Sequence, residues 1–178
     1  MESQVCGRKT AKDTNVTSIK KARVVELLLS ALEKNKEEMF QIATSNAAEA
    51  THEESRAEND KDTRGLEASY LARGQAQRTV EIESAIKSLE YMPLTDFSGD
   101  QPIASSALVK LLNEDDEEWI VFLSPWGGGT ILHQDGIDIR VVGPQSPLGR
   151  ALLGKRTDDN FEIKIKGAAK EFEILEIY

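Results

Sequence analysis

Two stretches in the first half of the chain carry apolar residues at helical spacing. The first runs from about 17 to 58 without Gly or Pro, and the second runs from about 66 to 91 with only Gly74 as an interruption. Apolar side chains that recur every three or four residues form a stripe along one face of a helix. The predicted stripes consist of Val25, Leu28, Leu32, Met39, Ile42, Ala43, Ala47 and Ala50 in the first helix, and Tyr70, Gln77, Val80, Ile82, Ile86 and Leu89 in the second.

The segment between these helices, HEESRAENDKDTRG (residues 52–65), is polar throughout and predicts a reversal of the chain. Two helices that are each apolar on one side bury both stripes when they pack as an antiparallel pair. About 40 residues of helix, at a rise of ~1.5 Å per residue, extend about 60 Å. A two-helix rod buries little surface per residue, so stability does not explain this length. We infer that the length serves to place the tip of the hairpin far from the rest of the protein.

The pattern changes after Tyr91. A segment rich in Pro, Gly, Ser and Asp, MPLTDFSGDQPIASS, reads as a linker. Strand-like runs follow, and the last two alternate apolar and charged residues with the period of two that a half-buried strand requires. The runs are ALVKLLN, EWIVFLS, IDIRVVG, FEIKIKG and EFEILEIY, with one helical segment, PLGRALLGK, among them. The sequence therefore predicts an α+β protein whose second half is a largely antiparallel sheet with one short helix.

These changes in pattern divide the chain into four parts. Residues 1–16 are predicted to be a flexible tail, 17–92 a helical hairpin or coiled coil, 93–103 a linker and 104–178 the sheet domain. The chain has 178 residues, which suffices for two small folded parts of this kind.

Charge and cysteine content restrict the environment and the partners. A formal net charge of −9 argues against a protein that coats nucleic acid without regard to sequence, because neutralising phosphates requires clustered Lys and Arg. Cys6 is the only cysteine, so no intramolecular disulfide is possible. The first residues lack the apolar core of a signal peptide, and no apolar run is long enough for a membrane span. We therefore expect a cytoplasmic protein with no membrane partner.

The segment SPLGRALLGK invites a second interpretation, because Gly149, Gly154 and Lys155 have the spacing of a phosphate-binding loop. That loop requires Ser or Thr after the lysine, where this chain has Arg156, and an intact strand before it, where Pro144 intervenes. The nucleotide interpretation is therefore rejected. As a helix, the segment has Ser146 to cap its start and Pro147 in its first turn, with Gly154 at its end.

A long helical hairpin, a Pro-bearing linker and a sheet domain that contains SPLGRALLGK resemble the bacterial Gre transcript cleavage factors. The carboxy-terminal domain of those factors has an FKBP-like fold and a signature close to S-P-L-A-R-A-L-L-G-K. This chain departs from the signature at Gly149, where Ala is usual. The resemblance implies an FKBP-like sheet domain that docks on bacterial RNA polymerase through Ser146, Pro147 and Leu148.

The resemblance also implies a role for the hairpin tip. Gre factors insert the hairpin through the secondary channel of the polymerase, where carboxylates at the tip help to hold the second magnesium ion and so stimulate cleavage of backtracked RNA. By this resemblance Asp62 and Glu67 are the magnesium ligands, supplied in trans. Glu58, Asp60 and Arg64 support the tip.

The implied protein is an accessory factor and not an enzyme in its own right. It has no cofactor of its own and binds no metal stably by itself, since the magnesium ion is shared with the polymerase. Its partners are RNA polymerase and the RNA 3′ end within the elongation complex, and it is expected to act as a monomer.

Two other interpretations stay open. The segment DTRGLEASY stands where Gre factors have D-L-S-E-N-A-E-Y, so Asp62 and Glu67 are five residues apart instead of three. A channel-binding regulator that inhibits transcription, or modulates it without stimulating cleavage, is therefore an alternative. A prolyl isomerase is the second, suggested only by the FKBP-like domain. It requires an aromatic-lined pocket, which 5 Phe and 3 Tyr in the entire chain make hard to assemble.

Overall fold

A computed structural model of the chain describes residues 19–50, 64–97, 101–165 and 167–178, without the side chains at 46–50, 64–69, 72 and 165. The described residues form two compact units. One unit is Val25–Pro93, and the other is Leu94–Tyr178 together with the residues that precede Val25. The predicted hairpin and the predicted sheet domain thus fall largely in different units.

The first unit is built from two α-helices, as the sequence predicted. α1 spans Lys21–Ala50 and α2 spans Arg64–Glu90. The predicted extension of the first helix towards residue 58 lies outside the described residues. The side chains buried along this hairpin are Leu28, Leu32, Ile82, Ala85, Ile86 and Leu89. An ion pair of 3.7 Å between Lys36 Nζ and Glu83 Oε1 also joins the helices. Neither helix is apolar enough over its described length to cross a membrane.

The predicted stripe on α1 largely holds, since Leu28 and Leu32 are buried and Met39 and Ala43 are half-buried, whereas the stripe on α2 holds only from Ile82 onward. Ile42, Tyr70 and Val80 are 52%, 67% and 59% exposed, and Gln77 is exposed as well. The half-buried positions on this part of α2 are instead Gln75 and Thr79, which continue towards Ile82 at the spacing of a two-helix seam. The repeat of the contact between the two helices determines which side chains face the partner helix. On this part of α2 polar residues lie at the contact positions, and nearby apolar residues are exposed.

The second unit contains a six-stranded sheet. Its strands are β1 Leu108–Asn113, β2 Glu118–Leu123, β3 Ile131–Gln134, β4 Ile137–Val142, β5 Asn160–Ile165 and β6 Ala168–Ile177. The order across the sheet is β3-β4-β2-β1-β6-β5. Neighbouring strands are antiparallel except β2 and β4, which are parallel. The α+β class and the largely antiparallel sheet are confirmed.

The sequence missed β3. This strand is only four residues long, and it pairs with β4 through a two-residue turn at Asp135 and Gly136. Both turn residues have positive φ, 52° and 80°, as a tight hairpin turn requires. An Asp-Gly pair between two apolar segments is the sequence feature that would have predicted the extra strand.

The core lies on one face of the sheet, beneath a short helix, α3, which spans Pro147–Leu152. Val109, Val121 and Phe172 belong to this core together with Leu152 of α3. The Phe172 ring contacts two further aromatic rings, those of Trp119 at 5.1 Å and Phe161 at 5.6 Å between centroids. Trp119 therefore packs against this core.

Alternate positions on the central strands are also buried. Leu108, Phe122 and Ile139 are fully buried, although side chains alternate between the two faces of a strand. Burial on both faces explains why β1 and β2 read as nearly continuous apolar runs, in contrast to the alternating β5. Lys110 is accommodated in β1 by an ion pair of 2.8 Å with Glu118.

The acidic residues 114–117 form an exposed turn between β1 and β2, and Glu118, which begins β2, is half-buried and pairs with Lys110. Asn113 organises this turn, since its Oδ1 accepts hydrogen bonds from the backbone N–H groups of Asp115 and Glu117 at 3.0 and 2.8 Å. Lys170 Nζ lies 3.3 Å from a carboxylate oxygen of Asp115. The run is therefore explained by the hairpin it builds.

Candidate functional site

Ser146 forms the corner at which the chain passes from β4 into α3. Its backbone is extended, and its Oγ accepts a hydrogen bond from the backbone N–H of Gly149 at 3.0 Å. The same hydroxyl donates to the carbonyl oxygen of Gly143 at 2.8 Å, and the backbone N–H of Ser146 donates to that oxygen at 3.0 Å. The predicted capping role of Ser146 is confirmed, and the hydrogen bonds to Gly143 hold the corner rigidly.

The residues that follow the corner present a small surface. Pro147 lies in the first turn of α3 and is exposed, while Leu148 is half-buried against the core. The helix ends where Gly154 adopts φ +80°, as predicted, and the Gly154 N–H donates to the carbonyl oxygen of Ile103 at 2.9 Å. Ile103 is buried, and its N–H donates to the Lys155 carbonyl oxygen at 2.8 Å, so the chain is also held at the carboxyl end of α3.

Three glycines bring backbone segments into direct contact beside this corner. A Cβ on Gly149 would lie 2.0 Å from the carbonyl oxygen of Gly143, a distance at which atoms overlap. A Cβ on Gly128 would lie 3.0 Å from the backbone nitrogen of Gly143. The turn at residue 143 is therefore packed between the glycine loop that follows β2 and the first turn of α3.

A groove of about 680 Å³ opens next to the corner. Its lining includes Gly128, Gly129, Ile131, Ser146, Leu148 and Ile163. The apolar lining residues are aliphatic, and no aromatic ring from the described part of the chain lines the groove. The aromatic pocket that a prolyl isomerase of the FKBP type requires is thus missing from this groove.

Two cationic side chains also line the groove, Arg140 on β4 and Lys164 on β5. The Arg140 guanidinium carbon lies 4.3 Å from the centroid of the Trp119 ring. Stacking of this kind is attractive and orients the guanidinium group. Lys110 and Lys170, two other cations of this unit, form ion pairs with Glu118 and Asp115.

Comparison with known proteins identifies this unit. The family described as "Transcription elongation factor, GreA/GreB, C-term" matches residues 103–178. The transcription elongation factor GreA of Rhizobium etli is 33% identical over 117 residues, which cover 62% of this chain and 69% of that protein. The chain belongs to the GreA/GreB family. The GreA of Bartonella henselae is also 33% identical, with the same coverage of both chains.

Solved structures of Gre proteins are similar to the chain as well. The GreA factor homolog 1 of Thermus thermophilus has 26% identity and a TM-score of 0.36, over 86% of this chain and 94% of that one. The GreA/GreB factor of Nitrosomonas europaea has 21% identity and a TM-score of 0.34, over 54% and 78%.

The Gre docking residues predicted from the sequence lie together, whereas the predicted tip lies elsewhere. Ser146, Pro147 and Leu148 all line the groove. Glu58, Asp60 and Asp62 lie outside the described residues. Arg64 and Glu67 fall in the first turns of α2, but their side chains are outside the described part of the structure. Their roles at the tip remain predictions.

Among the described residues, no group of three or more His, Cys, Asp or Glu side chains is arranged to hold a metal ion. His133, for example, has only Asp138 opposite it, with 2.6 Å between His133 Nδ1 and the carboxylate, and both side chains are exposed. This pair faces across neighbouring strands and serves the β3–β4 hairpin.

Sequence reasoning missed the groove that adjoins the Gre signature. Arg140, Lys164 and Ile131 come from three different strands, and only the folded sheet brings them to one place. One sequence feature did point to the unusual backbone packing. Gly149 replaces the alanine usual in Gre factors, and the Gly143 carbonyl oxygen occupies the position that an alanine Cβ would need.

Proposed function

We propose that this chain docks on bacterial RNA polymerase through Ser146, Pro147 and Leu148 and stimulates cleavage of backtracked RNA with its hairpin tip. Gre factors act as accessory factors of RNA polymerase, and the chain is a member of their family. The observation that carries the proposal is the rigid Ser146 corner within the family-matched segment, with Pro147 exposed to a partner.

In this proposal the tip supplies ligands to a magnesium ion that the polymerase also holds. Two-metal catalysis uses one ion to activate the attacking water and the other to stabilise the leaving oxygen. Magnesium prefers carboxylate oxygens, which Asp62 and Glu67 provide. The hairpin contributes these oxygens and the polymerase contributes the rest of the site.

The altered spacing of the tip favours a second candidate function. Asp62 and Glu67 are five residues apart, where the Gre motif has its acids three apart. A hairpin that enters the channel without completing the metal site would block the channel. The chain would then inhibit transcription or antagonise a cleavage factor.

One experiment decides between these two functions. The purified protein is added to stalled, backtracked elongation complexes of the cognate polymerase, and transcript length is followed on a denaturing gel. Shortened transcripts support cleavage stimulation. Unchanged transcripts that are also protected from a known cleavage factor support the inhibitor. Failure to bind the polymerase at all would contradict both.

The docking surface predicts the effect of a charge at Leu148. Leu148→Glu is expected to weaken polymerase binding by about tenfold or more, because it replaces an apolar contact with a carboxylate that must lose its water, and tenfold corresponds to about 1.4 kcal/mol. Leu153→Glu is the matched control, since Leu153 lies just beyond α3, is 42% exposed and does not line the groove.

Binding is measured by titrating fluorescently labelled core polymerase, and thermal unfolding of each variant is recorded in parallel. Because Leu148 packs against the core, Leu148→Ala is included as a variant that introduces no charge. Folded Leu148→Glu protein that binds like the wild type would place the docking surface elsewhere.

A further inference from the structure

We propose that Lys21 is a positioning residue for the hairpin, because it holds the first turn of α1 to the segment that leads into the sheet. The inference rests on the proposed function, in which the hairpin tip must reach one place on the polymerase. It concerns four residues that are neither tip residues nor docking residues. These are Lys21, Thr95, Phe97 and Ser106, which we call the Lys21 clamp.

The first turn of α1 belongs to the sheet unit, although the rest of the helix belongs to the hairpin. α1 is one helix, Lys21–Ala50, and the boundary between the two units falls between Val24 and Val25. Sharp kinks in helices arise mostly at Pro or Gly, and α1 contains neither. Contacts that hold the first turn therefore restrict the direction of the whole helix.

The Lys21 ammonium group contacts residues 94–97 in two ways. Lys21 Nζ donates a hydrogen bond to the carbonyl oxygen of Thr95, and it lies 4.7 Å from the centroid of the Phe97 ring. A cation over an aromatic face is attracted to it, more strongly where the cation is partly desolvated. Burial lowers the pKa of Lys21, against the opposing effect of the Asp96 carboxylate, which agrees with a partly enclosed ammonium group.

The residues that Lys21 contacts are themselves held by the sheet. The Thr95 N–H donates to Ser106 Oγ at 3.0 Å, and the Ser106 N–H donates to the carbonyl oxygen of Leu123, at the end of β2, at 2.9 Å. Phe97 packs against the core of the sheet unit. The clamp therefore runs in series from the sheet through Ser106 and Thr95 to Lys21 on α1.

The backbone at Ser106 indicates that its hydroxyl group is needed. Ser106 is fully buried and has a φ of 71°, a conformation that glycine adopts far more readily than serine. A non-glycine residue persists in this region where the surrounding structure holds it there. Glycine would relieve the strain but would leave the Thr95 N–H without this acceptor, so the clamp gives a physical reason for serine.

Apolar burial also attaches the start of α1, but it does not orient the helix in the same way. Ile19 and Val24 are buried. Burial of apolar surface is non-directional, whereas a hydrogen bond depends on both distance and angle. We therefore expect loss of the clamp to leave the protein folded, and to widen the range of directions that α1 adopts.

The test breaks the clamp at either end. Lys21→Met keeps a long unbranched side chain and removes the charge and the donor. Ser106→Ala removes the acceptor at the other end. Lys20→Met is the matched control, because it removes the same charge from the neighbouring exposed position. Thermal unfolding of each variant is recorded, and either clamp variant that stays folded suffices for the test.

The direction of the hairpin is measured as a distance distribution between two spin labels by pulsed electron paramagnetic resonance. The labels are attached at Asn35→Cys on α1 and Glu162→Cys on β5, both exposed positions, in a Cys6→Ser background. Lys21→Met and Ser106→Ala should each give a broader distribution than Lys20→Met. The double variant should be little broader than either single variant, because both substitutions break the same series of contacts.

The activity of the tip is measured in backtracked elongation complexes, as transcript cleavage or as protection from a cleavage factor. Lys21→Met should bind the polymerase as tightly as Lys20→Met does, and its tip activity should fall by about tenfold, since a misplacement of about 1 Å can cost about 100-fold. A residue that served only the stability of the fold would not separate activity from binding in this way.

The outcomes separate the inference from the proposed function. A distribution for a folded clamp variant as narrow as that of Lys20→Met would overturn the inference, whatever the protein does at the polymerase. A broader distribution with unchanged tip activity would overturn the positioning role and leave the proposed function intact. A wild-type protein that does not bind the polymerase would refute the proposed function and the positioning role together, while the distances would still establish whether the clamp orients α1.

Discussion

Asp62→Asn and Glu67→Gln are expected to slow the cleavage of backtracked RNA by about 100-fold or more while the protein still binds the polymerase. Both substitutions keep the shape of the side chain and remove the negative charge that a magnesium ion requires. Stabilisation of charge by a metal is worth several kcal/mol in a transition state, and each 1.36 kcal/mol changes the rate tenfold. Loss of one ligand therefore suffices for a large effect.

The readout separates catalysis from docking. Cleavage is followed as transcript shortening in backtracked complexes, and docking is followed as competition with an unmodified cleavage factor for the channel. Glu33→Gln is the matched control, because it removes the same charge from an exposed position on α1 far along the chain from the tip. Raised magnesium should partly rescue the tip variants, since a weakened metal site fills at higher ion concentration.

Two results would contradict this assignment. Tip variants that cleave as fast as the wild type would show that Asp62 and Glu67 are ordinary solvated charges, which is the usual meaning of an acidic turn. A wild-type protein that blocks a cleavage factor and promotes no cleavage would support the inhibitor. The spacing of five residues between the two acids would then be the first feature to change by mutagenesis.

The sequence predicted those features of the fold that depend on neighbouring residues. The two helices follow from long stretches without Gly or Pro, and the Ser146 cap follows from a Ser-Pro pair ahead of an apolar turn. The Gre signature indicated the family from the sequence alone, because the signature is one continuous segment. Residues 103–178 match that family.

The features that the sequence did not predict depend on residues far apart in the chain. The outer seam of the hairpin passes through Gln75 and Thr79 because the facing helix, and not hydrophobicity alone, decides which side is covered. The groove is lined by residues of β3, β4 and β5, which come together only in the folded sheet. The residues next to Arg140 and Lys164 in the sequence therefore do not mark these two side chains as parts of a site. Both the covered side of the helix and the lining of the groove are determined by tertiary contacts.

Gly149→Ala tests the most unusual contact of the docking corner. In an isolated helix alanine is more favourable than glycine by about 1 kcal/mol, and alanine is the usual residue at this position in Gre factors. Here the added Cβ would lie 2.0 Å from the Gly143 carbonyl oxygen and 3.0 Å from the Cα of Pro144. Both are backbone atoms, so relief of the overlap requires the turn at residue 143 to move.

We therefore expect Gly149→Ala to destabilise the sheet unit by about 1–3 kcal/mol, as overpacking does. In a domain of 60–100 residues, each 1 kcal/mol lowers Tm by roughly 4–8 °C. Polymerase affinity should fall as well, because Ser146 is bonded to the same carbonyl oxygen that must move. Thermal unfolding monitored by circular dichroism, with Trp fluorescence to report the sheet unit, measures the first effect.

Gly74→Ala is the control for this prediction, because Gly74 lies within α2 and a Cβ there meets no atom within 4 Å. That substitution should stabilise the hairpin by about 0.5–1 kcal/mol through helix propensity alone. Opposite signs for the same chemical change would establish that the Gly143 carbonyl, and not the helix, requires glycine at 149. Equal stabilisation by both substitutions would mean that the turn yields freely, and the rigid corner on which the docking proposal rests would have to be abandoned.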